Sequence, residues 1–179
     1  MRIKYFKFIL FFLVVVLSVI FYEDAQRPEL HAAVISAGYV GVFIAGMLYT
    51  YGFTTPFATA LLIIFGGDLN VFIAGIVAGG GALVSDLFIF GFIRKFFSDE
   101  IASFSHENTV KKIHKLIPRS LRKPMVFLIA GIFFASPVPD ELAVAFLATQ
   151  RLSAEAFAIF SYVCNTIGIV IILFIGSAL

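Results

Sequence analysis

Asp86, Asp140 and Glu141 stand inside stretches that are otherwise apolar, and Arg94 and Arg151 close two of those stretches. A carboxylate in apolar surroundings is costly, so it hydrogen-bonds, pairs, or faces a wet cavity. There it can take up and release a proton or hold a cation. Asp140 and Glu141 are neighbours in Ser136-Pro137-Val138-Pro139-Asp140-Glu141. One negative charge disfavours the second, so such a pair tends to share a proton. The same two residues have a plainer use, because acids in the first turn after a proline complement the positive end of a helix. Asp86 also has a plainer use, as one half of a structural ion pair with Arg94 or Arg151. Asn165, with Gly168 one turn later, is placed to hydrogen-bond across a helix interface.

The chain around these residues is 61% hydrophobic and 13% charged over 179 residues, with mean hydropathy +1.04. A soluble domain is nearer half apolar and a quarter charged, so this is an integral membrane protein. Residues 1–179 read as a single membrane domain with room for about three to six embedded segments. Cys164 is the sole cysteine, which excludes an internal disulfide and a cysteine-only metal site. It reads as inert packing. His31, His106 and His114 lie outside the apolar segments, and no metal is expected. The sequence carries no zinc-protease, serine-hydrolase or nucleotide-loop signature. It is therefore not read as an enzyme, and neither a cofactor nor a nucleic-acid partner is expected.

Hydropathy divides the chain. Residues 1–22 form an N-terminal helix, with Arg2, Lys4 and Lys7 ahead of the apolar run 8–22. No small-residue cleavage signal follows Phe21-Tyr22-Glu23-Asp24, so the helix is expected to be retained, with its start in the cytoplasm. Tyr5, Tyr22, Tyr39 and Tyr49 are candidate interface anchors. Residues 32–93 hold a hairpin and a span. Gly52 and Pro56 break the apolar run 32–65, and Thr55 before Pro56 reads as an N-cap followed by proline at the first helical position. A helix over 56–65 is about 15 Å long, half of a hydrocarbon core of about 30 Å, which points to a re-entrant hairpin. After a Gly66-Gly67-Asp68-Leu69-Asn70 turn, residues 71–93 are long enough to cross. Gly75, Gly79, Ala82 and Asp86 share one face of that span, and Gly75 with Gly79 permits close packing within the chain or in a homo-oligomer.

Residues 94–124 hold eight Lys/Arg against three Asp/Glu, a surplus of +5. They read as a cytoplasmic amphipathic segment lying on an anionic lipid surface. Residues 125–177 repeat the plan of the first half. Short legs over 125–135 and 142–149 flank the break at Ser136, Pro137 and Pro139, and a crossing follows over 155–176. The first hairpin enters from outside and the second from the cytoplasm, an inverted arrangement known in transporters. Each break brings a helix N-terminus near the midplane, where anions bind readily. The expected fold is an all-α integral membrane protein: an inverted repeat of re-entrant helical hairpin plus transmembrane helix, preceded by an N-terminal transmembrane helix.

Several of these residues together resemble the DedA family, also called the VTT or SNARE-associated membrane protein family. The match is strongest at Ser85-Asp86, with Phe90 four positions on and Arg94 eight positions after the aspartate. Pro56, the Ser136–Glu141 break and the Asn165/Gly168 pair correspond to the family's two hairpin loops and last helix. The resemblance spans about residues 38–176. It implies movement of phospholipids or polyprenyl phosphate carriers between leaflets, in some members with proton dependence. Two departures stand out. The acid expected in the first hairpin is missing near Pro56, and Asp140 occupies the place of an expected arginine.

The reading favoured here is a lipid translocase of the plasma membrane, flippase- or scramblase-like. Its pathway residues would be Asp140, Glu141, Asp86, Arg94 and Asn165, its partners membrane lipids and protons. Two others stay open: a small proton-coupled exporter of cationic compounds, which the acids suit well, and a non-transporting scaffold that recruits partners through residues 94–124.

Overall fold

The computed structural model describes residues 3–96 and 153–179, together with Leu128, Gly131, Ile132, Val144 and Leu147. Ser136, Pro137, Pro139, Asp140, Glu141, Arg151, the side chain of Tyr5 and the 97–124 part of the basic segment lie outside the described residues. Every described element is a helix: α1 (Ile3–Asp24), α2 (Pro28–Ser36), α3 (Gly38–Tyr49), α4 (Thr55–Asp68), α5 (Val71–Phe96) and α6 (Ala154–Ala178). Taken singly, α5 and α6 are long and apolar enough to cross a membrane. At 26 and 25 residues they run about 39 and 38 Å. α1 and α2 meet the same criterion only as a pair, bent by 105°.

The first apolar half is more broken than its hydropathy suggests. α2 starts at Pro28, and a second break at Ala37 precedes α3, where Gly38 has φ +51°. A side chain there would be strained, so the glycine lets the chain turn from α2 into α3. α3 and α4 then form an antiparallel hairpin of 12 and 14 residues, about 18 and 21 Å.

The hairpin turn corrects the expected cap. Thr54, not Thr55, is the N-cap residue of α4, and neither hydroxyl caps that helix. Thr54 Oγ1 lies 2.6 Å from the carbonyl of Leu48, and Thr55 Oγ1 lies 2.9 and 2.8 Å from those of Tyr49 and Tyr51. The hydroxyls donate backward because the last carbonyls of α3 have no helical partner. α4 also runs three residues past Phe65. Gly66 and Gly67 are helical, and the expected five-residue turn shrinks to Leu69-Asn70. Asn70 Oδ1 then accepts from the backbone N–H groups of Phe72 and Ile73, both at 3.1 Å, and starts α5. At the far end Ser153 Oγ accepts from the N–H of Ala156 and starts α6.

α3, α4, α5 and α6 share one core, which includes Val42, Tyr49, Leu62, Phe65, Ala78, Ala82, Ile169 and Leu173. Tyr49 is 2% exposed and is a core residue, not an interface anchor. α1 packs on the outside of α4, with Phe21 tilted against Phe57 at 4.8 Å. Backbones meet closely at glycines. A Cβ on Gly46 would collide with the backbone of Ala78, one on Gly81 with Phe43, one on Gly66 with Leu173, and one on Gly176 with Ile63. These contacts join α3 to α5 and α4 to α6. They also explain why Gly66 belongs to a helix: its missing side chain is what admits α6.

Gly66→Ala is expected to lower stability by about 1–3 kcal/mol, since a backbone carbonyl cannot step aside as a side chain can. Gly91→Ala meets nothing within 4 Å among the described residues and should be neutral or stabilising by up to ~1 kcal/mol. Thermal unfolding of both variants in one detergent tests the contrast.

Candidate functional site

α5 carries its polar residues on two faces. Ser85 and Asp86 are consecutive, so their side chains diverge by about 100° around the helix and serve different neighbours. Ser85 is buried and donates its hydroxyl to the carbonyl of Met47 on α3, at 3.0 Å. Asp86 faces α6 and is wholly buried.

α6 runs antiparallel to α5 and presents Ser161 and Asn165 one turn apart, both wholly buried. The hydroxyl of Ser161 donates to Asp86 Oδ2 through a short hydrogen bond. Asn165 Nδ2 donates to the same oxygen at 2.8 Å and lies 3.3 Å from Ser161 Oγ. Two donors converge on one carboxylate oxygen. Hydrogen bonds to a charged group contribute about 1.5–3 kcal/mol each, which offsets much of the cost of burying the carboxylate. Among the described residues, the buried Asn165 Oδ1 and Thr166 hydroxyl have no hydrogen-bond partner.

Small residues let the two helices approach. A Cβ on Gly79 would overlap Thr166, and one on Gly75 would overlap Val170. Gly168 is buried on α6 one turn after Asn165. The Gly75/Gly79 face is thus occupied by α6 of the same chain and offers no surface to a second copy.

One turn beyond Asp86, Phe90 stacks on Phe157 with ring centroids 4.1 Å apart and planes within 12°. Val144 and Leu147, from the second apolar half, are buried in the same cluster. Arg94 follows one turn later, exposed, with its guanidinium 4.9 Å from the centre of the Phe90 ring. Of the two ion-pair partners expected for Asp86, Arg94 is not paired with it among the described residues, and Arg151 lies outside them. The partners seen on Asp86 are a hydroxyl and an amide. Pro56 and Thr55 sit at the hairpin turn, Thr55 buried. Pro56 lines an apolar groove of about 220 Å³ between α1 and α4, with Val15, Ser18, Tyr22, Thr59 and Ile63. Among the described residues no group of three or more His, Cys, Asp or Glu could hold a metal.

The structure therefore brings Asp86 and Asn165 together, and aligns Arg94 with them along α5. Sequence reasoning missed Ser161 and Phe157, and named Ser85 only as part of the family motif, without its bond to Met47. Ser161 carried a signal, since it precedes Asn165 by four residues and must share its face.

The VTT domain, described by a sequence-family model of that name, matches residues 53–178. It is the domain of the DedA/SNARE-associated family. No curated protein and no solved structure matches the chain significantly.

Asp86→Asn and Asn165→Ala should each cost about 1–3 kcal/mol. The double variant should show a coupling of about 0.5–3 kcal/mol, because the two side chains act on one oxygen. Unfolding measured across the full mutant cycle checks this. Additivity would mean that the contact contributes nothing.

Proposed function

The chain belongs to the VTT domain family, and from that premise we propose that it moves lipid headgroups between leaflets, with Asp86 at the polar step. The observation that carries this is the fully buried Asp86–Ser161–Asn165 cluster between two membrane-crossing helices. Ionisable groups at such depth face an interior pathway or a partner and are retained for function.

The hairpin supplies the path. α3 and α4, about 18 and 21 Å long, are each shorter than a hydrocarbon core of about 30 Å. Their turn lies beside Ser85, which holds Met47. In this reading the hairpin is re-entrant: it enters from the outer side, stops at the depth of Asp86 and returns. Irregular backbone at that depth must be buried in protein or line a wet cavity, so the turn borders a polar groove while the lipid tails stay in the bilayer. The second hairpin, with Ser136, Pro137 and Pro139 at its break, mirrors it from the cytoplasm. Asp140 and Glu141 contribute the acids there, and protons couple to the movement through these carboxylates. Arg94 rests one face on Phe90 and keeps its planar fork of N–H donors for a phosphate. Residues 94–124 lie on the anionic cytoplasmic leaflet of the plasma membrane, and the N-terminus is cytoplasmic.

Export of cationic compounds is the second reading, favoured by the same buried carboxylate. The arginine separates the two. Arg94→Ala should abolish movement of a phosphate lipid and spare movement of a cation.

The test is reconstitution in liposomes with fluorescent phospholipid or polyprenyl phosphate, with and without a pH gradient. Wild-type protein should move lipid. Asp86→Asn and Asp140→Asn/Glu141→Gln should slow it about tenfold or more, equivalent to ~1.4 kcal/mol in the barrier. Well-folded wild-type protein that moves no lipid would sink the reading. The inverted topology has its own check. In a Cys164→Ala background, single cysteines at Ser120 and Gln150 should label from the same side of the membrane, and labelling from opposite sides would rule out the second hairpin.

A further inference from the structure

The groove between α1 and α4 is a feature that the lipid pathway does not use. Two turns of one face on each helix line it, from Val15 to Tyr22 on α1 and from Pro56 to Ile63 on α4. Ser18 and Ala60 are its buried floor, while Val19 at its lip is 53% exposed. The groove is therefore closed below and open along one edge. Ser18, Thr59 and Ala60 are small side chains, of the kind that brings helices together in a membrane. Here the two helices stay apart. Phe21 and Phe57 meet ring against ring at 4.8 Å beside the groove and set the separation.

Two turns of helix advance about 10 Å. A volume of about 220 Å³ over that length gives a cross-section of about 20 Å², which admits one hydrocarbon chain and not two. The hydroxyls in the groove serve their own helices. Ser18 Oγ donates to the carbonyl of Val14 at 2.7 Å, and Thr59 Oγ1 donates to that of Thr55 at 2.8 Å. What they present to the groove is carbon. We propose that the groove is a binding site for one acyl chain of a phospholipid, which completes the contact between α1 and α4.

The surroundings decide the occupant. The lip at Val19 is continuous with the apolar surface of α1, where Phe12, Leu17 and Ile20 are exposed. In a membrane protein that surface is covered by lipid tails, and on α1 the groove lies within the apolar run 8–22. A tail gains little apolar burial by leaving other tails. What holds it is contact with both walls at once, which an empty slot would forfeit. Tyr22 stands at the end of the apolar run, followed by Glu23 and Asp24, and marks the level of the headgroup. Pro56, on the α4 wall, directly follows the hairpin turn, so a seated chain also borders the turn. The site does not require that the protein move lipid.

The test uses the full chain in phospholipid nanodiscs in which a fraction of the lipid carries a diazirine in mid-chain. Labelled residues are identified by mass spectrometry after illumination. Val15 and Ile63, on opposite walls, should take the label, and so should Ile167 on the exposed face of α6. Ala60→Phe fills the floor, and Val19→Phe closes the lip from a half-exposed position that does not burden the fold. Each should cut labelling at Val15 and Ile63 about fivefold or more, since contact with both walls is lost. Labelling at Ile167 should stay unchanged, which also reports an intact bundle. Labelling of Val15 and Ile63 that neither variant lowers would overturn the proposal and leave bulk lipid only. So would wild-type protein in which these two residues take no lipid label, the result expected if another part of the chain fills the groove.

Discussion

The constraint on which the rest depends is the absence of water. Within an apolar medium each polar group must find its partner inside the protein, since an unmet one costs several kcal/mol. The hairpin turn obeys this directly. The hydroxyls of Thr54 and Thr55 return to the open carbonyls of α3 instead of capping the helix they precede. Ser85 serves Met47 by the same logic, and so binds the turn to a helix that crosses the membrane. Asp86 is kept at depth by Ser161 and Asn165. The polar residues of this bundle are therefore its joints.

Helices can place such joints only where their backbones come close. Lipid tails are as apolar as leucine, so burial gives helices in a membrane little reason to associate, and packing and hydrogen bonds decide the matter. Gly46 and Gly81 bring α3 to α5, Gly66 and Gly176 bring α4 to α6, and Gly75 and Gly79 bring α5 to α6. Serine and asparagine are short side chains. They reach across an interface only when the helices are near, and Asp86 would lack its donors if the glycines were larger.

Much of this was legible in the sequence, though unevenly. Hydropathy announced α5 and α6, and Pro56 announced the break. Asp86 and Asn165 stood out as polar residues in apolar runs. Their union did not, because they lie 79 residues apart and nothing local encodes which face of α6 meets which face of α5. The direction of the threonine hydroxyls was misread for a related reason. A Thr-Thr-Pro sequence suits a cap of the following helix, but the deficit that decides the outcome belongs to the preceding one. Gly66-Gly67 looked like a turn because glycine is a poor helix former in isolation. Contact with Leu173 overrode that preference.

α5 is the element on which these relationships converge. Gly75, Gly79, Asp86 and Phe90 descend one face against α6, while Ala78, Gly81 and Ser85 descend another against α3. Arg94 ends the first series, at the side where its charge can meet solvent. A single helix thus sets the depth of the hairpin turn, of the buried carboxylate and of the cation. Because Ser85 and Asp86 are adjacent, a shift of α3 that pulls on Ser85 acts on the same helical turn that holds Asp86. The hairpin and the carboxylate are thus mechanically one unit, and neither can change its position or partners without loading the other.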